Sequence, residues 1–185
     1  MSNLSEAHHN AVLRVPRYLN GAMNLCLRYR KDHPHTRYNK LGLFAAVDAD
    51  LAGDYDGVKS TTGYVVFIAG APVLWRSRLQ DCVAKHSTEA EYVALSEAAG
   101  EMVWVRQFLE ELRVMPEGPI TLLEDNTGAE KWVSETAITK KKRYIRIHYH
   151  FVRDEVLAGR VKVERVPTDE NPANGLTKPL ERAKF

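Results

Sequence analysis

The sequence predicts an α/β or α+β fold with helices packed on one mixed sheet, and three observations carry that expectation. Short runs rich in Val, Ile, Phe, Tyr and Trp, punctuated by Gly and Pro, fill the region from Leu41 to Lys85. At Thr88 the apolar period changes to steps of three and four residues. Beyond Gly118 strand-like and helix-like runs alternate, so the order is strands, then helix, strand, helix, helix and strand.

The stretch from Ala7 to Tyr29 carries Ala11, Val15, Tyr18, Leu19, Leu25 and Leu27, which predicts a helix followed by extended chain, with Gly21 as the break. Residues 31–40 are polar, contain Pro34 and have no period, so they read as a linker. A boundary near Tyr38 divides a helical segment, 1–38, from the main domain, 39–185. Strands are expected at Leu41 to Asp48, Gly63 to Ala69, Pro72 to Ser77 and Asp81 to Lys85. The tight Ala69-Gly-Ala-Pro72 sequence joins two of them as a hairpin, and Gly53 to Ser60 is a polar loop. Leu95, Ala98, Met102, Val105, Leu109 and Leu112 then mark one face of a long helix, ended by Pro116 and Gly118. Ile120 to Leu123 reads as a buried strand, Thr127 to Val133 and Ile145 to Leu157 as helices, and Val161 to Val166 as a final strand after Gly159.

A chain of 185 residues with 44% hydrophobic content can bury one real core. Its net charge of +2 does not announce a nucleic-acid partner, so any such partner must be argued from local basic clusters. Cys26 and Cys82 form no CxxC pair, and neither a charged-then-apolar leader nor a long apolar run appears. The expectation is a reducing, intracellular setting without a membrane.

Three acidic residues stand where the pattern changes: Asp48 and Asp125 at strand ends and Glu91 in the first turn of the long helix. A helix packed on the sheet can bring them together, and divalent magnesium or manganese prefers such hard oxygen ligands. Each also has a local explanation. Glu91 falls one step back along the apolar stripe from Leu95, facing the sheet, yet Thr88-x-x-Glu91 is also a capping box. Asp48 shares a strand face with Phe44, Ala46 and Asp50, yet Asp48-Ala-Asp50 also suits a polar turn. Asp125-Asn126 precedes a helix whose expected cap is Thr127, with Glu130 three residues on.

The motifs Asp48-Ala-Asp-Leu-Ala-Gly-Asp54, Lys59-Ser-Thr-Thr-Gly-Tyr64, Ser87-Thr-Glu-Ala-Glu-Tyr-Val-Ala-Leu-Ser-Glu97, Glu124-Asp-Asn126 and Leu176-Thr-Lys-Pro-Leu180 resemble the ribonuclease H domain of copia-type retrotransposon Pol polyproteins. The resemblance covers roughly Leu41 to Leu180, and the Ser-Thr-Glu-Ala-Glu-Tyr segment is highly characteristic. His9 to Gly21 resembles the last helical segment of the preceding reverse transcriptase, which makes the chain a piece of a larger polyprotein. The resemblance implies a ribonuclease H-like fold with a mixed five-stranded sheet. It also implies endonucleolytic cleavage of the RNA strand of an RNA–DNA hybrid, with two Mg2+ ions, for which Mn2+ substitutes. Asp48, Glu91 and Asp125 are the ligands it implies, with Asp50 in a secondary, non-ligand position. The reverse transcriptase portion of the polyprotein is the implied protein partner, and the cytoplasm, within virus-like particles, the implied location.

One position departs from the family pattern. The fourth carboxylate, an Ala-Asp dipeptide shortly before Thr-Lys-Pro-Leu, is here Ala173-Asn174. An amide coordinates through a neutral oxygen and removes one negative charge, so metal affinity is expected to fall, unless Asp169 or Glu170 takes over the role. No histidine occurs between Val166 and Leu176, so the product-release histidine of some cellular relatives has no counterpart there.

Arg76, Arg78, Lys85 and Lys140-Lys-Lys-Arg143 are candidate phosphate contacts, with Lys59 and Ser60 to Thr62 also within possible reach; a solvated charge run explains the cluster equally well. His148 and His150 sit two apart on different sides of a helix, which makes paired metal ligation unfavourable. Trp75, Trp104 and Trp132 are expected in core or interface, and Cys82 in a buried strand.

Overall fold

A computed structural model describes residues 5–53, 58–134 and 146–181. Five strands, β1 (Phe44–Asp50), β2 (Thr61–Ile68), β3 (Ala71–Leu79), β4 (Ile120–Glu124) and β5 (Val161–Arg165), form one sheet in the order β3-β2-β1-β4-β5. The first three are antiparallel neighbours, whereas β1 pairs with β4 and β4 with β5 in parallel. The expected mixed five-stranded sheet is therefore present. Its helices are α1 (Glu6–Gly21), α2 (Ser87–Glu111), α3 (Thr127–Ser134) and α4 (Arg146–Leu157).

Side chains alternate across each strand, and the two faces of the sheet bury different sets. Ala45, Val47, Tyr64, Val66, Ile120 and Leu122 face α2 and form the main core with Leu95, Ala98 and Met102. Phe44, Ala46, Val65, Leu123, Val166 and Ala173 form a smaller core on the opposite face. The polar stretch expected as a linker covers part of that second face. His33 is buried, and a 3-10 turn, Pro34–Arg37, brings His35 and Tyr38 onto Phe44, with ring centroids 4.8 and 4.6 Å apart. Aromatic packing, which has no sequence period, orders this segment.

Residues 87–111 form the long helix, but its first half is buried all round and not along one stripe. Glu89 to Ser96 are all buried, because α3 and α4 close over the side away from the sheet, with Tyr92 packed on Trp132 and Tyr149. The second half emerges into solvent: Leu112, expected on the buried face, is exposed, and Trp104 stacks on Phe108 at the surface. Trp75 on β3 is likewise exposed, so two of the three tryptophans lie outside the core.

No strand forms at Asp81–Lys85. Gln80 turns the chain there: its buried Nε2 donates to Thr62 Oγ1 at 3.1 Å and to the Ala90 carbonyl at 2.8 Å, and a bend carries half-buried Cys82 into α2. The hairpin between β2 and β3 is as expected, with Ala69 and Gly70 both at positive φ, the pattern of a two-residue type I′ turn.

Helix α2 stops before Pro116 and Gly118. Val114 N–H donates to the Leu109 carbonyl at 3.0 Å and Arg113 N–H to the Glu110 carbonyl at 2.9 Å, a Schellman closure with Arg113 at φ 59°. A side chain is strained in that left-handed conformation. Arg113→Gly is expected to stabilise the chain by about 0.5–1 kcal/mol, read as a higher urea midpoint; an unchanged or lower midpoint would count against the strain.

Candidate metal centre

The parallel neighbours β1 and β4 send the chain in opposite directions across the sheet, β1 towards β2 and β4 towards β5. A crevice opens at the carboxyl ends of strands where the order reverses in this way. Asp48 lies near the end of β1, on the face of Phe44 and Ala46, and Asp125 directly follows β4. From the other side comes Glu91, in the buried start of α2. Each residue offers one oxygen, and the three oxygens lie within 4.8 Å of one another.

The local alternatives weighed for these residues resolve in the structure. Helix α2 begins at Ser87 with His86 as its cap, and Glu89, not Glu91, reaches back, its Oε2 accepting from Lys85 N–H at 2.7 Å. With no capping duty, Glu91 leaves Oε2 buried and without a hydrogen-bond partner. Helix α3 is capped by Asn126 and not by Thr127: Asn126 Oδ1 accepts from Gly128 N–H at 2.9 Å and Ala129 N–H at 3.1 Å. Asp125 is thereby also spared the capping role.

Burial and crowding set the electrostatics. Asp48 is 1% exposed, and its carboxyl is raised above the usual value, first by burial and then by Asp125 and Asp50; the Thr177 hydroxyl and Lys178 oppose the rise. Glu91, 6% exposed, is pushed up to about 10 by burial, with Glu124, Asp48 and Asp125 adding like charge. Glu124 is fully buried on the α2 face of β4 beside Ile120 and Leu122, and burial holds its carboxyl well above the usual range. Its Oε1 accepts from Asn126 N–H at 3.0 Å, while Oε2 has no partner. Against these carboxylates Lys178 Nζ stands 3.8 Å from Asp48 Oδ2. Negative charge this concentrated and this buried is costly unless it is protonated or joined by cations. Hard oxygen donors, an orphaned Glu91 oxygen and unbalanced charge all fit a divalent ion.

Asn174 opens a 3-10 turn, Asn174–Leu176, and is buried, with its carbonyl 3.1 Å from Thr177 Oγ1. Its Nδ2 donates to the Thr168 carbonyl, and its Oδ1 is buried without a partner. Asp169 and Glu170 are exposed in a separate 3-10 turn, Thr168–Glu170, and do not join the metal-sized group found among the described residues. Asp50 ends β1, half-buried, near Asp48.

The expected phosphate contacts divide. Arg78 is held by Glu97 at 3.0 Å and by Asp81 at 3.4 Å. Ser60 and Thr62 are buried, Ser60 Oγ accepting from Ala52 N–H and Thr62 Oγ1 from Gln80, so both are structural. Arg76 and Lys85 are exposed, Lys59 is half-buried, and residues 140–143 lie outside the described residues. His148 Nδ1 bonds Ser96 Oγ at 3.0 Å, a packing role. The site residues that sequence reasoning missed are Glu124, Thr177 and Lys178. The period-2 alternation with Ile120 and Leu122 places Glu124 on the α2 side, whereas nothing in local pattern links residue 177 to residue 48.

No family model matches the chain. It is 37% identical over 181 residues, 98% of its length, to the retrovirus-related Pol polyprotein from transposon RE1 of Arabidopsis thaliana, and 35% identical over its full length to that from transposon TNT 1-94 of Nicotiana tabacum. The chain spans only 12% and 13% of those polyproteins. Among solved structures it resembles RNase H1 from the halophilic archaeon Halobacterium salinarum NRC-1, with a TM-score of 0.54 at 20% identity, covering 73% of this chain and 93% of that one. It also resembles LC11-RNase H1 in complex with an RNA/DNA hybrid, with a TM-score of 0.55 at 12% identity and the same coverage. The chain therefore belongs with the Pol polyproteins of copia-type transposons, as a segment that carries their ribonuclease H fold.

Proposed function

We propose that this segment is a metal-dependent endonuclease that cleaves the RNA strand of RNA–DNA hybrids during retrotransposon reverse transcription. The observation that carries the reading is the convergence of Asp48, Glu91 and Asp125 at the carboxyl ends of β1 and β4. The likeness in fold to a protein solved with an RNA/DNA hybrid supports it. Asp48, Glu91 and Asp125 would hold two Mg2+ ions, for which Mn2+ substitutes. Bound there, the ions supply Lewis-acid stabilisation of phosphate charge and a nucleophile available near neutral pH. The chain itself orients the carboxylates through β1, β4 and α2 and keeps Glu91 out of bulk water. Arg76 and Lys85 carry positive charge that suits a phosphate backbone.

Helix α1 fits the proposed junction with the reverse transcriptase. Val12, Val15 and Leu19 recur along it, none of its residues is buried, and the relatives extend far beyond this chain. No helix among the described residues is long and apolar enough to cross a membrane. A cytoplasmic setting within virus-like particles belongs to the same proposal.

A second reading is a module that keeps the fold and grips duplex without cutting it. The neutral amide of Asn174, with its unpartnered buried oxygen, is the observation in its favour. A labelled RNA–DNA hybrid incubated first with Mg2+ and then with Mn2+ decides between them. Products of RNA cleavage are expected; metal-independent binding without products would establish the module instead, and equal cutting of duplex DNA would remove the hybrid specificity.

Asn174→Asp is expected to lower the Mg2+ concentration needed for cleavage. Without metal the same change should cost about 1–3 kcal/mol of stability, because a carboxylate oxygen replaces the amide that donates to the Thr168 carbonyl. A variant unchanged in both respects would contradict this account of the position.

Glu91→Gln should abolish cleavage yet stabilise the metal-free protein. Folding raises the Glu91 pKa from the usual 4.5 to about 10, so its unfavourable contribution is absent below the unfolded value and grows as pH climbs towards the folded one. The gain in melting temperature should therefore be visible at pH 8 and vanish near pH 4. A gain independent of pH would point to packing instead of charge.

A further inference from the structure

We propose that Thr177 is a positioning residue for the metal centre: with its methyl seated against the bare backbone of Gly63, its hydroxyl fixes the Asp48 carboxylate in the orientation that receives a cation. This inference rests on the reading that Asp48 binds metal.

Three residues line up across the antiparallel strands, Asp48 on β1, Gly63 on β2 and Ser77 on β3, each the register partner of the next. The segment 171–178 crosses this row on the side of the sheet that Asp48 faces, and it touches all three. At the outer end Ser77 Oγ donates to the Leu176 carbonyl at 2.5 Å. At the middle, a Cβ on Gly63 would come within 2.6 Å of Thr177 Cγ2 and 2.9 Å of Leu176 Cβ. At the inner end Thr177 Oγ1 donates to Asp48 Oδ2.

Gly63 needs its glycine for space, not for conformation. It sits inside a strand, where glycine weakens pairing, and it is not among the residues at positive φ. What the missing side chain admits is the Thr177 methyl and Leu176 Cβ, and with them the hydroxyl that reaches Asp48.

The segment is also anchored independently of that hydroxyl. Asn171, buried, donates from Nδ2 to the Val47 carbonyl at 2.7 Å, and its Oδ1 accepts from Ala173 N–H at 3.0 Å. Thr177 therefore arrives at Asp48 on a prebuilt support. Its hydroxyl also lies 3.1 Å from the Asn174 carbonyl, but one proton serves one acceptor, and the ionised carboxylate is the stronger one. With Oδ2 held by Thr177, Oδ1 is left for a cation. Hydrogen bonds that orient a ligating carboxylate in this way are typically worth ten- to a hundredfold in metal affinity.

The test is Mn2+ titration of the full chain by isothermal calorimetry, together with thermal unfolding in the absence of metal. Thr177→Val keeps the shape and deletes the hydroxyl, and should weaken Mn2+ binding by about tenfold in a chain that still folds, with a lowered metal-free melting temperature because buried Asp48 loses a donor. Thr177→Ser restores the donor and should bind within about twofold of the unmodified chain. A folded Thr177→Val protein with unchanged Mn2+ affinity overturns the inference and leaves the metal reading standing. An unmodified chain that takes up no Mn2+ overturns both. If Thr177→Val does not fold, Thr177→Ser decides alone: affinity retained supports the inference, and a loss approaching tenfold overturns it.

Discussion

Buried negative charge at the carboxyl ends of two adjacent parallel strands is the constraint around which the molecule is arranged. Asp48 and Asp125 are fixed there by β1 and β4, and Glu91 is driven in from α2. Carboxylates that close cannot all remain ionised in a poorly solvated pocket without a compensating cation. The metal-free fold carries that cost as raised proton affinity at Asp48, Glu91 and Glu124, with Lys178 offsetting part of it. The main core is what makes the cost bearable, because small residues such as Ala90, Ala94 and Ala98 let α2 lie close against the sheet.

Much of this was legible in the sequence, and for physical reasons. The period-2 alternation that puts Asp48 with Phe44 and Ala46, and the helical period that carries Leu95 back to Glu91, are local signals, and both faces came out as read. Apart from residues 81–85 the expected strands formed, while the ends of the first three moved by one to three residues because ladders extend as far as their partners do. The false strand at 81–85 failed because a single buried Gln80, bonded to Thr62 and Ala90, turns the chain. The segment read as a linker packs on the sheet because His35 and Tyr38 lie against Phe44 of β1, and His35 also near Phe67 of β2.

The site was less legible than the fold. Charge and spacing nominated Asp48, Glu91 and Asp125, but the caps were misread: α2 starts at Ser87 and not at Thr88, and α3 does start at Thr127 but is capped by Asn126. His86 takes the N-cap position of α2 without a side-chain bond, and Asn126 caps α3 through its Oδ1. Glu124 was hidden by its neighbour, since two adjacent acids on a strand point to opposite faces and only one suits the cleft. Asn174 lacks a charge, and no local pattern reveals that its Oδ1 is buried without a partner while Nδ2 donates to the Thr168 carbonyl.

The bond between Thr177 and Asp48 spans 129 positions along the chain, and that between Asn171 and Val47 spans 124. Loop-closure entropy makes such distant pairings slow to form, so local hairpins and helices precede them. On a ribosome, β1 through α2 can assemble while the last segment is still being made. The pocket's outer wall thus arrives after its floor, and the surroundings of Asp48 are completed only when residues 171–178 have emerged.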